Sequence, residues 1–358
     1  MIRFSSYAVL LFIIVSCTIQ PPVVPAVVSD LIERFQSTFV PDRRVDRLDI
    51  EARRTKDDMV VLTGETTLPA VKDSLLQELQ DNDFTVIDSI LVLPDAELGE
   101  KTFALARHSV VNLRSNKGHS QELATQVLLG TPLLVLKQVE EWFFVQCPDG
   151  YLAWIHGGEM IRMTAADLDR WKKADRVVYN YNSGFVYEAP ESSAGQLGDI
   201  VAGGILVRET IQGDFTLVSY PDGRQGYVPT TELVSFEQWL SERHLNLALT
   251  QSIAFDQQGL IIPRDASQQV HAGEGVDYDD ELNGLEPGDF LFFGRFREDG
   301  SEKITHVGIY LGDGAFIHSG SDNGANKVQQ LLPGRPDYVA HRRESLMRAR
   351  RLQAGRPG

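Results

Sequence analysis

The stretch that decides the fold is "ITHVGIYLGDGAFIHSG", residues 304 to 320. Two short apolar runs flank a Gly-Asp-Gly turn, and a histidine stands at the head of one run and near the end of the other, His306 and His318. Continuous apolar runs bounded by glycine and proline are expected of buried strands. The pattern therefore predicts two antiparallel strands joined by a hairpin, with His306 at a strand start and His318 on the neighbouring strand. Upstream, "LEPGDFLFFG" has the same character, and its Pro287-Gly288 pair marks the turn that leads in. Further back, "GLIIPRDASQQ" from Gly259 follows a helical pattern.

In this order and spacing the three blocks resemble the NlpC-type cell-wall cysteine peptidases, a papain-like α+β family, over residues 236–352. The resemblance implies a thiolate nucleophile, an imidazole that takes and returns its proton, and a third polar group that sets the imidazole's tautomer and orientation. By matching motifs, His306 takes the place of the general base and His318 that of the orienting residue. It also implies a substrate, the bond next to D-glutamate in peptidoglycan stem peptides. No cofactor is implied, and no Cys, Asp or Glu stands at metal-ligand spacing near either ring.

The nucleophile is where the chain departs from that family. Relatives carry Asp-Cys-Ser-Gly at the start of the helix before "LPRDAS", where the helix N-terminus lowers the thiol's pKa. Counting back without gaps from Gly259 and Pro263 puts Leu247 at the Cys position. The aromatic-Trp-Gly-Gly element that precedes it in relatives is also missing, and "SFEQWLSERHLNLALTQ" runs straight into the helix. Loss of one contiguous block, ending just before Leu249 or Thr250, accounts for both. Thr250 and Ser252 offer only unactivated hydroxyls, displaced along the helix by about 1.5 Å per residue. Two readings follow: a peptidase by descent that is nearly inert as written, or a degenerate member that holds wall peptide without cutting it.

The middle of the chain is a repeat. "WFFVQCPDGYLAWIHGGEM" from Trp142 aligns with "FTLVSYPDGRQGYVPTTEL" from Phe215, pairing Val145 with Val218, Pro148 with Pro221, Gly150 with Gly223 and Glu159 with Glu232. Two copies of one β-rich unit are expected, over 100–165 and 174–235, each with a Pro-Asp-Gly turn between hairpin strands. The opening "SVVNLRSNKGHSQELATQVLLGTPLLVL" resembles bacterial SH3-like barrels that bind wall peptides or pack beside a hydrolase; two hairpin-rich sandwiches of another kind is the alternative. Cys147, on a strand before the first of these turns, reads as a half-buried filler. Residues 30–97 alternate as strands around one helical pattern, "PAVKDSLLQELQDN", with Pro69 at its first turn. This resembles BON-like α+β units, at the level of pattern.

At the start, Arg3, the apolar "YAVLLFIIV" and Cys17 resemble a lipoprotein signal, cleaved before a Cys that is then acylated. A plain secretory signal with an incidental Cys is the alternative. Thr18 follows, so no aspartate argues for inner-membrane retention, and "TIQPPVVPAVVSD" reads as a Pro-broken tether over 18–29. The expected location is the bacterial envelope, anchored by acyl chains to the periplasmic face or the outer membrane. Cys17 and Cys147 are the only cysteines, so there is no disulfide framework. A formal charge of −16 argues against nucleic acid as a partner. The basic end, "HRRESLMRARRLQAGRPG", reads as a last strand and a solvated tail rather than an anion site. The overall expectation is a multidomain α+β protein: signal 1–17, tether, small α+β unit, two SH3-like β-barrels, and a C-terminal papain-like α+β domain.

Overall fold

The computed structural model describes residues 23–241, 265–319 and 326–352. The described chain falls into two compact units, residues 23–43 with 47–92, and residues 44–46 with 93–352.

In the first unit, helices α1 (Ala26–Phe39) and α2 (Pro69–Asp81) accompany a three-stranded sheet of β1 (Leu48–Arg54), β2 (Val60–Thr66) and β3 (Val86–Val92). Strands β1 and β2 are antiparallel, and β2 and β3 are parallel with α2 as the crossover. Pro69 opens α2, where a missing N–H costs nothing. Helix α1 begins inside the stretch read as tether, so that reading is corrected from Ala26 onward. Val28, Leu31, Ile32 and Phe35 recur at helical spacing and are buried against Leu48, Ile50, Leu62, Leu75 and Leu79. The prolines before Ala26 masked a periodicity that needs the sheet to become visible.

The second unit begins with the two copies of the repeat. Copy one comprises β4 (Phe103–Ala106), β5 (Val110–Arg114), β6 (Leu123–Leu128), β7 (Pro132–Val139), β8 (Trp142–Gln146), β9 (Leu152–His156) and β10 (Met160–Met163). Copy two comprises β11 (Arg176–Tyr179), β12 (Ser183–Tyr187), β13 (Gln196–Val201), β14 (Ile205–Gln212), β15 (Phe215–Ser219), β16 (Gln225–Pro229) and β17 (Leu233–Ser235). The seven strands follow one order in each sheet, β10-β4-β7-β8-β9-β5-β6 against β17-β11-β14-β15-β16-β12-β13. Even the irregularities repeat, with register slips between Val135 and Lys137 and between Arg208 and Thr210. Both Pro-Asp-Gly turns exit through a left-handed glycine, Gly150 at φ 84° and Gly223 at φ 85°. Cys147, 4% exposed, fills the core of copy one, and Tyr220 takes its place in copy two.

The copies pack on each other. Leu129 of the first lies in the core of the second, its carbonyl accepts from the N–H of Ile205, and Gly130 sits so close that an added Cβ would be 2.6 Å from the Ile205 carbonyl oxygen. Between them runs α3 (Ala165–Lys173), started by a reciprocal Thr164–Asp167 capping box. Helix α4 (Phe236–Ser241) follows β17, and the Arg176 guanidinium of copy two stands 3.8 Å above its Phe236 ring.

Among the described residues, the C-terminal sheet has six strands in the order β18-β23-β19-β20-β21-β22. They are β18 (Glu274–Gly275), β19 (Phe290–Phe296), β20 (Glu302–Gly312), β21 (Ala315–Ser319), β22 (Asn326–Gln330) and β23 (Leu346–Arg351), with short helices α5 (Ala266–Gln269) and α6 (Ala340–Ser345). One face packs Phe290, Phe292 and Ile309 under Val270 at the end of α5, and the other buries Leu291, Phe293, Tyr310 and Phe316. The basic end does form a last strand. A helical turn precedes it, and Arg350 and Arg351 are tied to the Val270 carbonyl and to Asp289.

Candidate active site

The two histidines come together. His306 lies on β20 and His318 on β21, and the Nε2 of His306 is 2.9 Å from the Nδ1 of His318. His306 stands in the middle of β20, not at a strand start, because the strand runs back to Glu302. What aims it is a register slip. Phe293 faces His306 while Gly294 faces Ile304, leaving Thr305 as an extra residue, and a bulge of this kind turns the following side chain to the other face of the sheet. Ile304 therefore packs with Ile309 and Val270, whereas His306 shares a face with Phe293 and Phe316.

The Gly312-Asp313-Gly314 turn returns the chain, with all three residues at positive φ. It pairs Ile309 with Ile317 and Tyr310 with Phe316, which sets His318 on the same face as His306. Gly308 is required here, since a Cβ at that position would meet the Phe316 ring at 2.7 Å. His318 is buried, at 5% exposure, and its ring stacks on Phe316 at 5.0 Å between centroids and 18° between planes. Its Nε2 is 2.7 Å from the Oε1 of Gln329 on β22. Gln329 escaped the sequence reading. A glutamine in "NKVQQLLPG" carries no signal until β22 is seen to pair with β21.

Asp289, in the "PGD" turn ahead of β19, is 1% exposed and accepts from Nε and Nη2 of Arg351 at 2.8 Å each and from the Glu286 N–H. Hydrogen bonding to that carboxylate raises the Arg351 pKa still further, against the opposing effect of burial. The pair fastens the last strand to the turn that starts the site's sheet.

Among the described residues, no group of three or more His, Cys, Asp or Glu is placed to hold a metal ion, and no helix is long and apolar enough to cross a membrane. Leu247, Thr250 and Ser252, and Cys17 at the other end, lie outside the described residues. Cys147 sits in the core of copy one.

Against known proteins, residues 248–351 match the NlpC/P60 family and residues 113–157 match the bacterial dipeptidyl-peptidase SH3 domain. The chain thus carries an NlpC/P60 domain together with a bacterial SH3 domain. It is 46% identical over 65 residues to a gamma-D-glutamyl-L-lysine dipeptidyl-peptidase of Bacillus subtilis, covering 18% of this chain and 20% of that one. It is 35% identical over 89 residues to a probable endopeptidase of Mycobacterium bovis, covering 25% and 20%. The chain spans about a fifth of the length of these curated relatives. In fold it is similar to the crystal structure of an NlpC/P60 family protein from Bacillus cereus, with a TM-score of 0.54 at 18% identity over 70% of this chain and 99% of that one. The SH3 match lies within the first barrel, and the second copy, read from the repeat, shares that barrel's strand order.

Proposed function

We propose that the C-terminal domain is a stem-peptide endopeptidase of the cysteine type by descent, directed at the bond next to D-glutamate in peptidoglycan, and nearly inert in the chain as written. The observation that carries this reading is the His306–His318 contact of 2.9 Å inside the family-matched domain. An imidazole backed by a second polar ring is the apparatus that deprotonates a thiol and returns the proton to the leaving amine. The relatives' names, a dipeptidyl-peptidase acting at gamma-D-glutamyl-L-lysine and an endopeptidase, support the substrate class. The inertness follows from the sequence. No cysteine occurs between 236 and 352, and the family match begins at 248, just past the position where a nucleophile is expected. Loss of a nucleophile from such a unit lowers turnover by roughly a million-fold.

Incubation of the purified chain with muropeptides is expected to release no L-Ala-D-Glu dipeptide above a blank. Release at rates of about 1 per second or more, ordinary for an enzyme, would overturn the inert reading. Reading the gene between the Asn246 and Thr250 codons for an Asp-Cys-Ser-Gly run decides whether the lineage still encodes an active form.

A second reading is favoured by the duplicated barrel: a lipoprotein that binds wall peptide without cleaving it. Retention on isolated sacculi is its expected behaviour, and a chain that washes through would end it. The envelope location rests on Cys17 and the apolar run before it. Labelling with a fatty-acid analogue should mark the wild-type chain and not Cys17→Ala, and equal labelling of both would remove the anchor.

A further inference from the structure

We propose that Gln329 is a positioning residue that sets the tautomers of both imidazoles and so makes Nδ1 of His306 the basic nitrogen of the site. This deepens the reading of His306 as base and His318 as orienter and rests on it. One line of atoms crosses three adjacent strands, from Gln329 on β22 through His318 on β21 to His306 on β20. The amide oxygen of Gln329 can only accept, so the His318 Nε2 that lies 2.7 Å from it carries a hydrogen. A neutral imidazole has one N–H, which leaves Nδ1 of His318 as an acceptor. That nitrogen is 2.9 Å from Nε2 of His306, and two lone pairs cannot face each other at that distance, so Nε2 of His306 donates. The single proton of neutral His306 is then on Nε2, and its Nδ1 holds the lone pair.

The sheet explains why position 329 does this. On the β21–β22 ladder His318 stands opposite Lys327, whose ammonium can only donate, while Gln329 stands opposite Phe316 and reaches His318 diagonally on the same face. The Phe316 ring, stacked at 18°, holds the His318 plane so that its two nitrogens point to their two partners. An amide also suits the task electrically. It accepts at every pH near neutrality and adds no charge, whereas a carboxylate there would stabilise the imidazolium and weaken the pair's appetite for giving the proton back.

The test needs no turnover. The full chain has eight histidines, and with 15N-labelled rings its His306 and His318 signals are assigned by His306→Asn and His318→Asn. At neutral pH both rings are expected as Nε2–H tautomers. In Gln329→Leu the His318 signal should move toward Nδ1–H, with the His306 pattern changing alongside it. In Gln329→Glu both should keep the native tautomer while the pH at which the pair takes up a proton rises. A native His318 protonated at Nδ1, or a folded Gln329→Leu chain with both rings unchanged, would overturn the proposal. Should Gln329→Leu not fold, the Gln329→Glu titration decides, and no upward movement overturns it. Because these signals are read without substrate, their failure counts against Gln329 alone, while muropeptide hydrolysis bears only on the peptidase reading.

Discussion

At the scale of single residues, the site is held by groups that do no chemistry. Gly308 lets Phe316 lie flat beneath His318, so Gly308→Ala, which adds a methyl where the ring stands at 2.7 Å, should cost about 1–3 kcal/mol. It should also shift the ring signals of both histidines, and an unchanged melting temperature with unchanged signals would contradict this. Asp289→Ala removes the buried carboxylate that two Arg351 donors and one backbone N–H share. A loss of about 2–3 kcal/mol is expected in urea unfolding. Tyr220 gives the opposite case. Its hydroxyl is buried without a hydrogen-bond partner among the described residues, and burial, opposed by Arg224 and helped by Asp199 and Asp222, pushes its pKa up to about 12. Tyr220→Phe removes an unsatisfied polar group and should leave stability unchanged or raise it by up to about 1 kcal/mol, which a lowered denaturation midpoint would refute.

At the scale of elements, turns and bulges decide where side chains point. The extra residue Thr305 turns His306 away from the face that Ile304 shares with α5, and no alternation rule applied to "EKITHVGIYLG" finds it, because the slip is defined by what Phe293 and Gly294 face across the ladder. The capping box is the contrary example, built from residues three apart in the chain, with Thr164 and Asp167 each satisfying the other's backbone N–H. Thr164→Ala should cost about 1 kcal/mol in thermal unfolding. In the N-terminal sheet Gly64, at φ 130°, presses against β1, where a Cβ would lie 1.9 Å from the Asp49 carbonyl oxygen. Gly64→Ala should therefore cost about 3 kcal/mol, combining backbone strain with a clash that no side-chain rotation relieves. An alanine variant as stable as the wild type would show that β1 and β2 are not so closely paired.

At the scale of the molecule, the two barrels are joined by an acidic group between basic ones. Asp222 accepts from Arg107 of the first barrel at 3.0 Å and from Arg224 at 2.8 Å. Burial opposes its ionisation, yet the Arg224 and Arg107 hydrogen bonds outweigh that and hold its pKa below the usual carboxylate value. A depressed carboxylate contributes stability that is complete well above an unfolded-state pKa of about 3.9 and disappears as pH falls through the lower folded value. The junction should thus loosen in acid below about pH 4, and Asp222→Asn should flatten that part of the stability profile. Parallel profiles for the two chains would exclude it.

What the amino-acid order determined by itself is whatever depends on local spacing: the repeat with its two left-handed turn glycines, helix α2 behind Pro69, the apolar strands around Gly-Asp-Gly, and His306 and His318 as a pair. Those signals lie in the order and spacing of residues along the chain, and exist before any strand has paired. Only the tertiary structure decided that the supposed tether becomes a helix at Ala26, that Thr305 re-aims His306, that the barrels share Leu129, and that Gln329 completes the line of ring nitrogens. Each of these is a contact between segments distant in sequence. The burial or hydrogen bond that makes it favourable does not exist until the sheet has brought the partners together.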